Sequence, residues 1–145
     1  PDHRHAFLIR DPDRVVASYA AKRLQVTADD LGYARQLGYV DQAAQLTGKP
    51  PAILDSADIL RDPESHLRAL CSALEIPWDT GMLAWQAGGR TTDGVWAAHW
   101  YGRVLETTGF GGTESALPKL GQRERAVSDQ CRDAYDRLSE LRIRL

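Results

Sequence analysis

The chain has 145 residues, of which 43% are hydrophobic and 26% are charged, with a formal net charge of −2 and a pI of about 6.1. We expect a single domain over residues 1–145, because this size and composition are typical of one globular core. The small net charge argues against broad binding to nucleic acid or to an anionic membrane. With no apolar run long enough to span a bilayer and no secretory signal, the sequence predicts a cytoplasmic protein. Any anion site must be local, built from a few of the 15 arginines.

The first predicted element is a short buried strand, the apolar run "HAFLI" at residues 5–9, which is too brief for a helix. Asp11 is suited to cap the following helix, and Pro12 to its first position, where a missing N–H costs nothing. Apolar residues at helical spacing then predict a helix over residues 12–22. A strand this close to Pro1 needs neighbours, so we expect an N-terminal portion to be missing; removal of an initiator Met is the simpler alternative.

The next elements predict a crossover between two parallel strands. Thr27 or Asp29 can cap a helix whose apolar stripe continues to Ala44, and Gly48 can end that helix. The segment "KPPAILDS" then supplies a second short strand at residues 52–54. A strand, helices and a strand in this order join parallel strands in a covered sheet.

The triplet Arg-Asp-Pro at residues 10–12 occurs again at residues 61–63. Asp62 and Pro63 are expected to start another helix, in whose first turns His66 should be exposed to solvent. The Gly-, Thr- and Trp-rich segment from Ala87 is predicted to be ordered loop with a short helix over residues 96–104. An amphipathic C-terminal helix is predicted from a stripe of apolar residues: Val127, Cys131, Tyr135, Leu138 and Leu145. We expect both cysteines, Cys71 and Cys131, to be core thiols of a reducing compartment.

Arg10 ends the first strand at the start of a helix, which is where a phosphate site is expected. Ligands of open α/β sheets gather at the carboxyl ends of strands, and free N–H groups at a helix N-terminus attract phosphate. Ser18 lies almost two turns beyond Asp11 on the same face, about 10 Å along the axis, and one phosphate could receive both Arg10 and Ser18. The alternatives are that Arg10 pairs with Asp11 or Asp13 and that Ser18 is a small residue at a helix contact.

The pattern Arg10-x-Pro12-x5-Ser18 resembles the 3′-phosphate motif of sulfotransferases that use 3′-phosphoadenosine-5′-phosphosulfate (PAPS). In that family a strand ends in Arg-x-Pro, and the Arg and a Ser eight residues later hold the 3′-phosphate of the donor. The segment over residues 52–85 resembles the family's second strand and the helix after it. There Asp58 and Ile59 match an acidic-Leu pair, and Glu75 replaces a Gly.

The segment "GGRTTDGVW" is similar to the family's Arg-Lys-Gly-x-x-Gly-Asp-Trp loop, with Arg90 on the Lys and Trp96 on the Trp. The loop departs from the family at three positions: Gly89, Thr91 and Val95 stand where the family has Arg, its first Gly and Asp. Arg90 is then the only cation left, and solvent exposure is its alternative role. Trp96 could stack on adenine, although Trp96 and Trp100, with His99 between them, are more typical of a packing pair. The segment "DGVWAAHWYGRVLETTGFG" is similar to a bacterial and plant branch, some members of which carry misleading aminotransferase labels.

The resemblance implies an α/β fold, a P-loop NTPase-like three-layer domain with a parallel sheet, of which this chain is the helix-rich C-terminal part. It implies PAPS as co-substrate, with its product 3′,5′-adenosine bisphosphate (PAP), and a small-molecule hydroxyl or amine as acceptor. Arg10, Ser18 and Arg90 would bind the nucleotide, and no metal is implied. The family's phosphosulfate loop and catalytic His lie upstream; because His3 and His5 are too close to Arg10, the catalytic base stays unknown.

Without its upstream partner segment, this chain alone is expected to be inactive, and a homodimer remains open. One alternative is a non-catalytic nucleotide-binding or interaction module that kept the scaffold, suggested by the departures in the Arg90 loop. Another is a small-molecule kinase of related fold, which a Gly-rich loop ending in Lys-Ser/Thr upstream would indicate.

Overall fold

The structure is a computed structural model that describes residues 3–90, 92–95, 102 and 104–145. Its sheet has two parallel strands, β1 (Ala6–Ile9) and β2 (Ala52–Asp55). They pair in a register that places Ala6 opposite Ala52 and Ile9 opposite Asp55. The predicted parallel pair with a helical crossover is therefore confirmed.

Three helices form the crossover, which begins as predicted with Asp11 as the cap and Pro12 in the first turn of α1 (Pro12–Ala20). The single helix expected next is wrong: α2 (Ala28–Leu31) and α3 (Tyr33–Thr47) are separate helices. Gly32 lies between them with φ of 72°, a left-handed conformation that ends one helix and that glycine adopts without steric cost.

The second strand leads into α4 (Ser56–Arg61) and α5 (Pro63–Ala73), the latter capped by Asp62 as predicted. Short 3₁₀ turns follow at Thr80–Leu83 and Val104–Glu106. The helix predicted over residues 96–104 falls mostly outside the described residues.

The C-terminal helix α6 (Gln122–Glu140) is confirmed as amphipathic, with Cys131 and Leu138 buried. Assigning Leu145 to its apolar stripe is wrong, because the helix ends five residues earlier and Leu145 is 70% exposed. Of the helices that the structure describes, none has both the length and the apolar character needed to cross a membrane.

The core joins the sheet to α3 and α6 through four buried side chains: Ile9, Val40, Ile53 and Leu138. Burying an aliphatic side chain of this size stabilises the fold by roughly 1.5–3 kcal/mol relative to leaving it exposed. Phe7, Leu37 and Tyr135 pack against this cluster. The contact fixes α6 beside β1, and α6 also packs along α1.

The expectation that β1 is buried along its length is wrong, because its side chains alternate. Ile9 is 2% exposed, whereas Leu8 is 59% exposed. Successive side chains of a strand point to opposite faces, and the face that carries Ile9 is the one that the core covers.

The two cysteines and His66 test the remaining local predictions. Cys71 and Cys131 are both free and buried, so the prediction of core thiols is confirmed. The prediction that His66 is exposed to solvent is wrong, since its exposed fraction is 3%. Its Nδ1 lies 2.9 Å from the carbonyl oxygen of Asp62, one turn earlier, and this hydrogen bond satisfies a polar atom that would otherwise oppose burial.

Candidate anion-binding site

Arg10 leaves the carboxyl end of β1 on a backbone that α3 holds in place. The hydroxyl of Tyr33 donates to the Arg10 carbonyl at 2.5 Å, and Nε2 of Gln36 donates to the Leu8 carbonyl at 2.9 Å. The side chain of Arg10 is 43% exposed. A fixed backbone with a solvent-accessible guanidinium is a suitable arrangement for binding an anion from outside the core.

The guanidinium of Arg10 contacts Glu114, which is 104 residues away along the chain. Its Nε and Nη2 donate to Oε1 of Glu114 at 2.9 and 2.5 Å, and Nε of Arg14 lies 2.9 Å from Oε2. Arg14 also donates to the carbonyl of Ser115. The Glu114 side chain is only 8% exposed, so two arginines share one carboxylate that is almost removed from solvent.

The two acids beside Arg10 are bound by α6, so Arg10 does not form the ion pair with Asp11 or Asp13 that the alternative expected. Asp13, 3% exposed, accepts from Nη1 of Arg125 at 2.8 Å through both oxygens and from the hydroxyl of Ser128 at 2.5 Å. Arg132 donates to Asp11 at 2.9 Å and to Asp13 at 3.2 Å. Because Asp11 and Asp13 are bound by α6, Glu114 is the carboxylate with which Arg10 and Arg14 pair among the described residues.

Asp13 stays ionised despite its burial. Burial by itself raises the pKa of this carboxyl. Hydrogen bonds from Ser128 and Arg125 and the charges of Arg125 and Arg132 lower the pKa by more than burial raises it, so it lies below 3.8. The acid therefore balances the α6 arginines at neutral pH, and the positive charge of Arg10 is not drawn toward it.

The N–H groups at the start of α1 are not available to an anion, so the expectation that they attract phosphate is wrong. Pro12 has no N–H, and the N–H of Asp13 donates to the Asp11 carboxylate at 2.8 Å. The N–H groups of Arg14 and Val15 donate to the Asp11 carbonyl at 3.1 and 3.2 Å. Anion binding here must come from side chains.

Ser18 lies on the exposed side of α1, one turn beyond Arg14. Within the described chain its hydroxyl has no hydrogen bond, and its exposure does not fit the alternative of a small residue packed at a helix contact. Residues four apart share a helix face, so Arg14 and Ser18 present donors on the same side. A ligand role for Ser18 stays a prediction.

Arg90 lies in a turn that its own backbone closes with Asp93. Its N–H donates to Oδ2 of Asp93 at 2.8 Å, and the Asp93 N–H donates to the Arg90 carbonyl at 3.0 Å. The residue is exposed, and within the described part of the chain its guanidinium has no hydrogen bond or ion pair, so nothing links it to Arg10 or Ser18. Its role in closing the nucleotide site stays a prediction, and Trp96, His99 and Trp100 lie outside the described residues.

The loop of Arg90 is nonetheless tied to the segment that carries Glu114. The backbone N–H of Trp85 donates to the Thr108 carbonyl at 2.9 Å, and the backbone N–H of Gly88 donates to the Leu105 carbonyl at 2.7 Å. The ring of Trp85 packs edge-on against Phe110, with ring centroids 5.4 Å apart. The chain therefore passes directly from these anchors to the residue that Arg10 contacts.

Sequence reasoning missed two members of this site, Arg14 and Glu114. Arg14 could have been found from its position four residues after Arg10 and four before Ser18. Nothing local to Glu114 signals its role, because the contact depends on how a Gly-rich segment folds back over α1.

These features define an α/β protein in which two arginines at the carboxyl end of a parallel strand share one carboxylate, which makes this place a candidate anion-binding site. A family model described as a sulfotransferase domain matches residues 2–132, which include Arg10, Ser18 and Arg90. The chain belongs to the sulfotransferase family. This membership agrees with the motif resemblance and with a P-loop-like α/β fold.

Two plant proteins from Arabidopsis thaliana are similar to this chain. Branched-chain-amino-acid aminotransferase-like protein 1 is 41% identical over 107 residues, which cover 74% of this chain and 19% of that protein. Branched-chain-amino-acid aminotransferase-like protein 2 is 34% identical over 133 residues, or 92% of this chain and 23% of that protein. The chain thus spans only about a fifth of either relative, and both names carry the aminotransferase label expected for this branch. No solved structure matches the chain significantly.

The backbone at Glu75 supports the matched register of the motifs. Glu75 stands where the resemblance places a Gly, and its φ of 52° is the left-handed conformation that glycine favours. Arg4 donates to the Glu75 carboxylate at 2.7 Å and to its carbonyl at 3.2 Å. These bonds help to hold a non-glycine residue in a conformation that costs free energy.

Proposed function

We propose that this chain provides the 3′-phosphate side of a nucleotide site that serves sulfuryl transfer from PAPS to a hydroxyl or amine of a small-molecule acceptor. The observation that carries the proposal is the contact of Arg10, at the carboxyl end of β1, with an anionic group. A guanidinium that already binds two lone pairs of one carboxylate has the geometry needed for a phosphate. Membership of the sulfotransferase family supports the choice of donor.

The local charge supports an anionic ligand. Arg10 and Arg14 together carry two positive charges and Glu114 one negative charge, which leaves a surplus of one. The neighbouring acids are neutralised by Arg125 and Arg132 of α6. A terminal phosphate monoester, with its three outer oxygens, matches two forked donors better than a single carboxylate does.

In the proposed reaction the acceptor oxygen or nitrogen forms a bond to sulfur while the bond from sulfur to the 5′-phosphate oxygen breaks. PAP leaves with that electron pair, and the acceptor proton passes to a base that these residues do not identify. The contribution of Arg10, Ser18 and Arg90 is to position the donor through its nucleotide end. Holding the reacting groups in line supplies much of the rate in transfers of this kind.

Isothermal titration calorimetry with PAP on the full-length protein tests the proposal. Replacing Arg10 with Ala should weaken binding about 10- to 100-fold, since charge-assisted hydrogen bonds to the phosphate are lost. Arg61→Ala is the matched control, because Arg61 begins the second Arg-Asp-Pro triplet yet pairs with Asp58, which keeps another partner in Arg142. PAP affinity that is unchanged by Arg10→Ala would overturn the assignment.

A non-catalytic nucleotide-binding module is the second candidate. It is favoured by the Arg90 loop, where Gly89 and Val95 replace two polar positions of the family motif. Release of PAP from PAPS in the presence of diverse hydroxyl and amine acceptors discriminates the two functions. Tight PAP binding without turnover would support the module, and preference for ATP over PAP would instead support a kinase.

A further inference from the structure

Arg14 lies between the two residues that the family motif assigns to the phosphate. It is four residues after Arg10 in the chain and four before Ser18, which places it on the Ser18 face of α1. Its side chain is only 14% exposed, compared with 43% for Arg10. A cation that is partly withdrawn from water binds an anion more strongly than one in full solvent.

Arg14 is directed at the same group as Arg10. Its Nε lies 2.9 Å from Oε2 of Glu114 in an ion pair, and Nε and Nη2 of Arg10 donate to the other oxygen, Oε1. Two guanidinium groups thus converge on one small volume that already accommodates an oxyanion. A phosphate at that place could accept from both arginines at once.

Glu114 depends on these two arginines for its own charge balance. No other ion pair or side-chain hydrogen bond to Glu114 is present in the described part of the chain. The segment around it is otherwise held to α1 by the bond from Arg14 to the Ser115 carbonyl. A ligand that takes over both guanidinium groups removes what holds Glu114.

We propose that Arg14 is a second ligand of the bound phosphate monoester, and that Glu114 competes with the phosphate for Arg10 and Arg14. This inference rests on the proposed function and adds to it a specificity residue and an internal competitor. In the unliganded protein Glu114 keeps the two guanidinium groups together. When the phosphate binds, the carboxylate leaves the pair and the segment over residues 111–117 detaches from α1.

Calorimetry with PAP on the full-length protein separates the two parts of the inference. Arg14→Ala should weaken PAP binding about 10-fold, through loss of charge-assisted hydrogen bonds. Glu114→Gln should strengthen it about 5-fold, because the competing ion pair is gone. Glu114→Asp should also strengthen it, since the shorter side chain keeps the charge but does not reach both arginines.

Glu64→Gln is the matched control for the change in net charge. Glu64 pairs with Arg68 on the exposed surface of α5, and losing its charge should leave PAP affinity unchanged. Unchanged or weaker binding in Glu114→Gln would overturn the competition, and unchanged binding in Arg14→Ala would overturn the second ligand. If Arg10→Ala also leaves binding unchanged, the proposed function itself fails.

Amide hydrogen exchange on the unmutated protein gives an answer even where a variant fails to fold. Saturating PAP should accelerate exchange over residues 111–117, because Glu114 is released. A ligand that binds without displacing Glu114 would leave exchange in this segment unchanged or slower, and that result would overturn the competition.

Discussion

The two Arg-Asp-Pro triplets both begin a helix with an Asp cap and a Pro in the first turn, but their side chains contact different partners. Asp11 caps α1 by accepting from the Asp13 N–H at 2.8 Å, and Asp62 caps α5 by accepting from the Ser65 N–H at 3.2 Å. Pro follows the cap in both. The local chemistry of the triplet therefore determines a helix start, whichever part of the chain contains it.

The partners of the arginines separate the two triplets. Arg61 folds back three residues to Asp58 at 2.6 Å, within its own short helix. Arg10 contacts Glu114 from a distant segment. The acidic residues that follow the two prolines also have different surroundings. Asp13 is buried against α6, whereas Glu64 pairs on the surface with Arg68. Only the triplet at residues 10–12 belongs to a candidate binding site, because its side chains contact residues far away in the sequence.

The largest difference should appear when the residue after each Pro is replaced by Ala. Asp13→Ala removes the acceptor of Arg125 and Ser128 and one of the two acceptors of Arg132. It should lower the free energy of unfolding by about 2–4 kcal/mol. The equivalent Glu64→Ala removes an exposed pair and should change it by less than about 0.5 kcal/mol. Urea denaturation measures both, and equal losses would show that the buried network around Asp13 does not stabilise the fold.

Low pH should destabilise the protein by protonating Asp13, in the first turn of α1. Because the folded pKa of Asp13 lies below 3.8, the unfolded state binds more protons in this range and stability rises with pH. The contribution is complete above the unfolded pKa, about 3.9, and is lost as the pH falls through the folded pKa. Asp13→Asn should therefore show a shallower fall in unfolding free energy below about pH 4.

Asp58 provides the internal reference for this titration. Burial raises the pKa of this carboxyl, but hydrogen bonds and charges from Arg142 and Arg61 lower it to below 3.8. Asp58 remains in both proteins, so some acid sensitivity should persist in Asp13→Asn. Identical pH profiles for the two proteins would contradict the role given to Asp13.

A smaller difference is expected between the two caps. Asp11→Ala should lower the free energy of unfolding by about 2 kcal/mol, through loss of the cap and of the ion pair with Arg132. Asp62→Ala loses only a cap and should destabilise less. Thermal unfolding at neutral pH ranks the stability of the two variants. A larger loss of stability in Asp62→Ala would contradict the stabilisation of the start of α1 by Arg132 of α6.

The smallest effect concerns the residue eight positions after each arginine. Ser18→Ala should weaken PAP binding about threefold, the effect of one neutral hydrogen bond. Ala69, at the corresponding position after Arg61, gives the control, since Ala69→Ser should not change the affinity. Calorimetry that finds no loss in Ser18→Ala would remove Ser18 from the site while leaving Arg10 in it.

The local half of this structure could be predicted from the sequence. Caps at Asp11 and Asp62, the parallel strands and the amphipathic α6 all follow from short-range spacing and propensity. The predictions of the caps and of α6 succeed because each depends on residues within one or two turns of each other. The family motif also points to Arg10, Ser18 and Arg90, whose roles in binding a nucleotide stay predictions.

The long-range half could not be predicted. That Glu114 reaches Arg10 depends on 104 intervening residues, and no spacing rule covers such a distance. The exposure of Leu8 and the burial of His66 likewise depend on which faces the other elements cover. The sequence pattern also suggested free N–H groups at the start of α1, whereas Asp11 itself takes them.

An NMR titration that follows arginine side-chain Nε–Hε resonances as PAP is added tests the difference between the two triplets most directly. Resonances are assigned with Arg10→Lys and Arg61→Lys. We expect the Arg10 signal to shift as its bond from Nε to Glu114 is replaced by one to phosphate, while the Arg61 signal stays in place. An Arg10 signal that does not move while PAP saturates the protein would contradict this expectation.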